Sequence, residues 1–532
     1  MKRKVTAADK LLFLFNPSAA ERRIAKRGIQ MASGYGNHGA STTKNSLIGW
    51  LTGQGSAEQD IDLHGAMLRQ RARDLDVGGG LARGAVRRLQ TAVVGAGLMP
   101  KPSINADVLG LSPEAASEWE NLAKAEFMAW AQNRECDAAG QQTFFQLQSL
   151  IMLSMLISGD VFVLLPQYPS VSTPYQTHIR VLEADRVGTQ DSNGDSQSST
   201  LDSGNRVIDG IEVDETGRVV AYWITNRHPL NTDDATELTY ERIDAFGNDT
   251  GMPNVLHPYE PERPEQRRGM PFIAPVIEKL KQLDRYMNSE LAASLVASML
   301  TVFFTTTEDP VGMPLEDPLS EDDRVTDAEE KIELIPGGIY TLKPGVQPVT
   351  VNPSRQNSAF QSFVDSATTY IGSTLGIPIE VLNEKFSSNY SASRAALLEF
   401  WRTVKMRRQW FIYDVCQPIY EAWLSEAVAL GRLDCPGFWD DPVIRAAWCN
   451  AEWVGSSMGQ IDPLKEVNAA ATRIAIGIST HEREATEFNS SSFSENAKAL
   501  IRENEMLRDA NGALDSAEKP IQGSKNNDEE DD

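Results

Sequence analysis

The chain has 532 residues, 41% apolar and 23% charged, and a net charge of −24. That length is more than one hydrophobic core and predicts roughly two to four folded domains. So acidic a chain is not built to grip a phosphate backbone over a broad surface, because such affinity comes from counterions displaced by Lys and Arg. The four cysteines, Cys136, Cys416, Cys435 and Cys449, have no paired spacing, so neither a zinc site nor a disulfide framework is supported and a reducing compartment fits. The longest apolar run, 291–304, is broken by Ser294, Ser298 and Thr301 and falls short of the roughly 20 residues that span a bilayer. The patch 11–15 is too short for a secretory signal, so the chain reads as cytosolic with no membrane contact.

Residues 1–60 begin basic (Lys2, Arg3, Lys4, then Arg22, Arg23, Lys26, Arg27) and turn rich in Gly, Ser, Thr and Asn, which predicts a partly ordered arm. Asp60 is positioned to cap a helix over 61–76, and Gly78-Gly79-Gly80 separates it from a second helix over 81–94. A glycine run before a helix can cradle phosphate, but no Lys-Ser/Thr pair follows, so it reads as a turn. Ser112-Pro113 starts a third helix and 142–157 forms a fourth. Residues 160–260 read as an antiparallel β-rich module, with strands over 161–165, 179–182, 208–213, 219–225 and 255–259. Asp214-Glu215-Thr216-Gly217 is a hairpin turn within it, and 189–206 a polar surface loop.

Apolar residues near heptad spacing predict a long helix over 272–300, with Lys279, Lys281 and Arg285 on its polar side. Residues 305–350 change composition to proline-rich and acidic (Glu308, Asp309, Glu316, Asp317, Glu321, Asp322, Asp323), with short strands expected at 331–335, 339–342 and 349–351. A helix over 358–376 follows, ended by Gly372, Gly376 and Pro378. After the polar loop Asn383-Glu384-Lys385-Phe386-Ser387-Ser388-Asn389-Tyr390, Ser391 or Ser393 can cap a very long helix over 393–430, kinked at Pro418. Its basic residues Arg394, Arg402, Lys405, Arg407 and Arg408 face away from the apolar stripe, either as a solvated face or to pair with acidic residues of a neighbouring subunit. Further helices are expected at 464–476, 480–488 and 494–508, and the acid- and amide-rich end from 526 reads as disordered.

Catalytic motifs are weak. Gly455-Ser456-Ser457-Met458-Gly459 matches G-x-S-x-G, which makes a serine hydrolase using Ser457 the alternative reading. A nucleophile elbow needs a hydrophobic strand before the motif and a helix directly after it, and here a loop follows. Asp249-Thr250-Gly251 occurs once, without the second carboxylate that aspartic-protease chemistry needs. The six histidines are scattered and the acidic cluster lacks calcium-loop spacing, so no catalytic residue, metal or cofactor is expected.

Several stretches recur together in one known family. They are Arg71 through Gly97, ending Gln90-Thr91-Ala92-Val93-Val94-Gly95-Ala96-Gly97; Ser158-Gly159-Asp160-Val161-Phe162 with Glu183-Ala184-Asp185-Arg186-Val187; and Arg263-Pro264-Glu265-Gln266-Arg267-Arg268-Gly269-Met270-Pro271. Then come Leu375-Gly376-Ile377-Pro378, Asn389-Tyr390-Ser391-Ala392-Ser393-Arg394-Ala395, Glu452-Trp453-Val454-Gly455 and Ile461-Asp462-Pro463-Leu464-Lys465-Glu466. In this order and spacing, over roughly 60–490, the chain resembles the lambda-type portal proteins of tailed bacteriophages.

The resemblance implies an α+β portal fold of wing, stem, clip and crown, not an enzyme, assembling as a ring, usually a dodecamer, at the capsid portal vertex of the virion. Such a ring is the channel through which double-stranded DNA is packaged and later ejected. Its partners are the terminase large subunit, the head–tail adaptor, the major capsid protein and the scaffold, with assembly in the host cytoplasm. On this pattern 1–60 is the arm, 61–271 the wing, 272–304 a stem helix, 305–357 the clip and 358–382 the second stem helix. Residues 383–392 are the tunnel loop, 393–430 the long kinked helix, 431–508 the crown and 509–532 a disordered acidic tail. Glu384, Lys385, Phe386, Ser387, Ser388, Asn389 and Tyr390 then face DNA, and Lys279, Lys281 and Arg285 line the channel. The acidic residues of 308–323 dock basic partners, and the arginines and lysine of the long helix lie between subunits. A different tail or adaptor ring is the other alternative, and the long split-stem order argues against it.

Overall fold

The computed structural model describes residues 7–23, 41, 44–47, 50, 53, 55–189, 198–231, 236–298, 302–306, 346–350, 359–385, 390–459 and 463–517. Residues 1–60 form one unit and 61–532 another. In the first, the helix α1 (Ala7–Phe15) leaves Leu11, Phe13, Leu14 and Phe15 exposed. Asp60 does not act as a helix cap: its carboxylate accepts the Gly55 N–H at 3.1 and 3.3 Å.

The second unit opens with the helices α2 (Leu63–Gly78) and α3 (Gly80–Val93). Gly79 alone breaks them, with an extended backbone, so the glycine run is a turn as its missing phosphate chemistry implied. Strand β1 (Met99–Pro102) follows, then α4 (Pro113–Ala131), capped by Ser112, and α5 (Phe144–Ser158), closed by a Thr143–Gln146 capping box. The β module comprises β2 (Val161–Leu164), β3 (Arg180–Glu183), β4 (Ser198–Thr200), β5 (Arg206–Ile208), β6 (Ile211–Val213), β7 (Val219–Thr225), β8 (Tyr240–Asp244) and β9 (Val255–Leu256). Its ladders are all antiparallel, in two sheets ordered β3-β2-β9 and β4-β5-β6-β7-β8. The expected polar loop 189–206 thus holds β4 and the start of β5, and β8 had no reading at all. Its polar sequence, Tyr-Glu-Arg-Ile-Asp, hides the strand because β8 is a half-exposed sheet edge.

Helix α6 (Ile277–Ser298) is joined through the antiparallel pair β10 (Val302–Thr306) and β11 (Val346–Thr350) to α7 (Phe360–Leu375). The expected strands 331–335 and 339–342, and all the acidic residues from Glu308 to Asp323, lie outside the described residues. A short helix α8 (Ile379–Asn383) follows Pro378, then α9 (Tyr390–Phe411) and α10 (Gln417–Ala429). Between these last two, Ile412–Cys416 is π-helical. This is the break expected at Pro418, which falls in the first turn of α10, directly after the π-helical stretch. Neither Ser391 nor Ser393 caps the long helix: it begins one residue earlier, at Tyr390, and Ser393 is buried inside it.

The remaining elements are α11 (Pro442–Cys449), β12 (Ala451–Val454), α12 (Pro463–Ala475), α13 (His481–Asn489), capped by Thr480, and α14 (Phe493–Ala517). Strand β12 pairs antiparallel with β1, from Met99↔Val454 to Pro102↔Ala451, closing a contact across some two-thirds of the chain.

The main core is helical. Leu75, Leu89, Phe127, Trp130, Phe144, Ile151, Val404, Tyr420 and Trp423 are among its buried members. Phe127 is its hub, with Phe144, Tyr420 and Trp423 arranged edge-on at 5.0–5.7 Å, an arrangement that suits the ring quadrupoles. A second core, including Phe162, Leu182, Ile211, Tyr222 and Ile224, lies within the β module. The main core surrounds α10, in which Ile419, Tyr420, Trp423, Leu424 and Ala427 are all buried.

Candidate functional site

Three of the sequence stretches singled out above meet at one buried ionic junction. Arg268 is fully buried, and its Nε donates to Asp160 Oδ2 at 2.6 Å. Its Nη1 donates to the Val187 and Asp209 carbonyls and its Nη2 to the Ala184 carbonyl, at 2.7–3.1 Å. The Asp209 carboxylate lies 3.0 Å from Nη1. Asp160 also accepts the Gly269 N–H at 3.2 Å and faces His257 Nε2 at 3.2 Å. Burial pushes the Asp160 carboxyl up, but Arg268, His257 and Arg69 overcome that and hold it well below the usual carboxylate range. His257 moves the other way: burial drives it toward the neutral form, against the pull of Asp160. It stacks on Phe162 at 4.2 Å.

The backbones of Gly159 and Gly269 approach so closely that no side chain fits between them. A Cβ on Gly159, whose φ is +95°, would lie 2.5 Å from the Gly269 carbonyl carbon, and one on Gly269 would lie 2.0 Å from the Gly159 oxygen. Next to this, Arg69 and Arg73 of α2 pair with Asp185 at 3.4 and 2.5 Å. Glu183, Asp185 and His228 come close enough together to share a cation. Arg69 and Arg73 already supply that positive charge, so the three belong to the ion-pair network. The junction ties α2 and the end of α5 to the β module and to the segment leading into α6.

The second region is the root of the loop between α8 and α9. Glu384 ends α8 in the left-handed region, φ +53°, and its carboxylate pairs with Arg88 of α3 at 2.8 Å. An open groove of about 840 Å³ runs beside it, walled by Arg83, Arg87, Leu397, Phe400, Trp401 and Ser457, among others. Lys385 is exposed; Phe386, Ser387, Ser388 and Asn389 lie outside the described residues, as does the Tyr390 side chain. The loop is shorter than expected, since Tyr390 and Ser391 are already helical.

The basic residues of α9 do not share one solvated face. Arg402 is exposed and pairs with Glu399 at 2.7 Å, Lys405 lies 4.0 Å from Glu487, and Arg394 reaches Glu466 at 3.1 Å. Arg407 and Arg408 correct the expectation outright, because both turn into the protein. Arg407 pairs with Glu260 at 3.1 Å and lies over the Phe272 ring at 4.9 Å. Arg408 donates to the carbonyls of Val93, Ala92 and Ser456 at 2.8–2.9 Å, closing α9 onto the end of α3, and burial lowers its pKa to about 10. On α6, Lys279 donates to Gln282, Lys281 lies 3.5 Å from Asp74, and Arg285 is exposed.

Strand β12 does precede Ser457, but Gly455–Gly459 continues as coil, and among the described residues no histidine or carboxylate hydrogen-bonds Ser457. Sequence reasoning missed the ionic junction and the Arg88–Glu384 pair. Its available signal was the glycine beside each buried charge, Gly159-Asp160 and Arg268-Gly269.

Residues 43–408 match the family described as phage portal protein, lambda family. This chain belongs to that family. It is thus a portal protein, a head–tail connector of tailed phages, and the family is a structural one. It is 25% identical to the portal protein of Escherichia phage N15 over 87% of this chain and 88% of that one. It is 24% identical to portal protein B of Escherichia phage lambda, over 78% of this chain and 79% of that one. Among solved structures, a chain from the neck of an empty gene transfer agent particle aligns with a TM-score of 0.45 and 12% identity, covering 78% of this chain and 92% of that chain. The portal in hand is a mixed helix-and-sheet protein, and the stretches quoted from its sequence include Asp160, Asp185, Arg268 and Gly269 of the junction.

Proposed function

We propose that copies of this chain close into a ring at one vertex of a phage capsid, and that double-stranded DNA passes through its centre during packaging and ejection. Membership of the portal family over residues 43–408 is the observation that carries this reading. Physical support comes from α6 and α7. They leave Met287, Leu291, Leu295, Phe363 and Tyr370 exposed, a face that a single chain leaves wet and that ring neighbours would cover. A chain of net charge −24 repeats its charge around the channel, so DNA slides and does not stick.

In this reading α6 and α7 are the stem, and the β module with α2–α5 is the wing. The proline-rich acidic stretch between β10 and β11 is the clip, docking the packaging motor's large subunit and later the head–tail adaptor through complementary charge. The wing and outer surface meet capsid protein and scaffold during assembly in the host cytoplasm. The loop rooted at Glu384 faces DNA. The test is an in vitro packaging assay with Phe386→Ala and Tyr390→Ala portals: rings form normally and packaged DNA is lost or poorly retained. Failure of ring assembly in both variants would contradict the loop assignment.

A further inference from the structure

Helix α3 is a basic island in an acidic chain. It carries Arg83, Arg87 and Arg88 and no acidic residue, in a chain of net charge −24. The three arginines line one side of the open groove of about 840 Å³ beside α8 and α9. Local carboxylates cover them only in part. Arg83 and Arg87 share one oxygen, Asp76 Oδ2, at 3.3 and 4.0 Å, and their side chains are 52% and 39% exposed. Arg88 pairs with Glu384, which is itself 74% exposed. Glu380 is the other carboxylate of the groove. Ion pairs this wet are weak and exchange readily, and each guanidinium has a fork of donors to offer to a second anion.

The chain supplies a segment of matching chemistry. Asp528-Glu529-Glu530-Asp531-Asp532 is the densest negative run in the sequence, and it lies outside the described residues. The path of the chain puts it within reach of the groove. Helix α13 ends against the groove wall: Ser490 Oγ donates to the Gly455 carbonyl at 2.8 Å, next to Ser456 and Ser457, which line the groove. Helix α14 starts shortly after, at Phe493, and its 25 residues run about 37 Å. Residues 518–532 span up to about 50 Å when extended. The acidic run can therefore return to the groove even if α14 points straight away from it. We propose that residues 526–532 fold back onto α3 of the same copy and bind the Arg83, Arg87 and Arg88 side of this groove. So seated, the carboxylates hold the guanidiniums that a phosphate backbone would otherwise meet, and DNA loses a place to stick. The seat is built within one chain and does not depend on the ring reading.

The test uses full-length protein and a short bismaleimide. All four native cysteines are buried, so introduced thiols are the reactive ones. Glu530→Cys places one thiol in the tail. The second is either Thr91→Cys, in the groove, or Ser203→Cys, on the β module, which contributes nothing to the groove. At about 50 mM salt the Thr91→Cys pair is expected to give at least about five-fold more internally cross-linked monomer than the Ser203→Cys pair, and the difference should vanish at about 1 M salt, where charges are screened within about 3 Å. It should also vanish when Arg83→Gln and Arg87→Gln are added, with the circular-dichroism spectrum unchanged. Removing 526–532 should raise the affinity for a short DNA duplex several-fold, and Arg83→Gln with Arg87→Gln should cancel that gain. Equal cross-linking at Thr91→Cys and Ser203→Cys, or a groove cross-link that survives the arginine substitutions, would overturn the proposal. Cross-linked dimers in place of the internally linked monomer would overturn the seat within one copy.

Discussion

Arg268 donates its Nε–H to Asp160 Oδ2 at 2.6 Å with neither side chain exposed to solvent. The two residues are 108 positions apart, and the guanidinium also carries the Ala184, Val187 and Asp209 carbonyls. Truncating it strands a buried carboxylate. Arg268→Met is expected to cost about 3–5 kcal/mol, the usual penalty for breaking a buried pair on one side. Arg268→Lys should recover little of that, because one ammonium cannot reproduce a five-donor fork. Urea unfolding of the two variants checks this, and a loss under about 1 kcal/mol in Arg268→Met contradicts it.

The glycine contact beneath that pair is equally demanding. Gly159→Ala and Gly269→Ala each force a methyl into backbone at 2.0–2.5 Å, and the first also needs a non-glycine residue at φ +95°. Each should lose several kcal/mol of stability, with accumulation in the insoluble fraction as the simplest readout. Gly110→Ala is the control, since φ is also positive there but the space around it is open, so only the milder backbone cost applies.

Asp62 gives the fold a pH dependence of known sign. It is 1% exposed, its Oδ1 accepts the Arg268 N–H at 3.3 Å, and Oδ2 has no partner among the described residues. Burial pushes its pKa up from 3.8 to about 6. Between those values the folded chain binds more protons than the unfolded one, so this residue's contribution to stability falls as pH rises and is at its worst above 6. Asp62→Asn keeps an acceptor for Arg268 and removes the charge. The variant should gain on the order of 1–3 kcal/mol relative to the parent at pH 7.5 and nothing at pH 4. Paired unfolding curves at the two values measure it, and a pH-independent difference would refute it.

Arg88 and Glu384 concern motion more than stability. Glu384 is 74% exposed, so the pair is worth less than about 1 kcal/mol. Its effect is to hold the left-handed end of α8, next to Lys385. Arg88→Ala should leave the melting temperature within about 2 °C yet speed trypsin cleavage after Lys385 several-fold. Arg88→Glu with Glu384→Arg should restore resistance. Unchanged cleavage in Arg88→Ala would show that the pair does not anchor the loop.

Much of the local structure was legible because the relevant signals are local. Ser112-Pro113, Thr480 and Gly376 delimit helices where capping chemistry says they should. Pro418 announced the break in the long helix, although the chain resolves it as a π-helical stretch. Pairing across long separations was not legible. Strand β1 contains two prolines in four residues and reads as irregular; only its partner β12, about 350 residues on, makes it a strand. Arg407 and Arg408 looked solvent-facing because they sit in a basic run, and only tertiary contacts bring Glu260 and the end of α3 to them. Likewise the charges of the Arg268 junction lie in separate motifs, and no spacing rule shows that they converge.

The measurement that bears most directly on the central claim is negative-stain imaging of the purified protein together with its mass by light scattering. The account predicts rings with a central hole and a mass on the order of a dozen times the 58.6 kDa chain. A monodisperse monomer or dimer that stays so when capsid scaffold is added would contradict it.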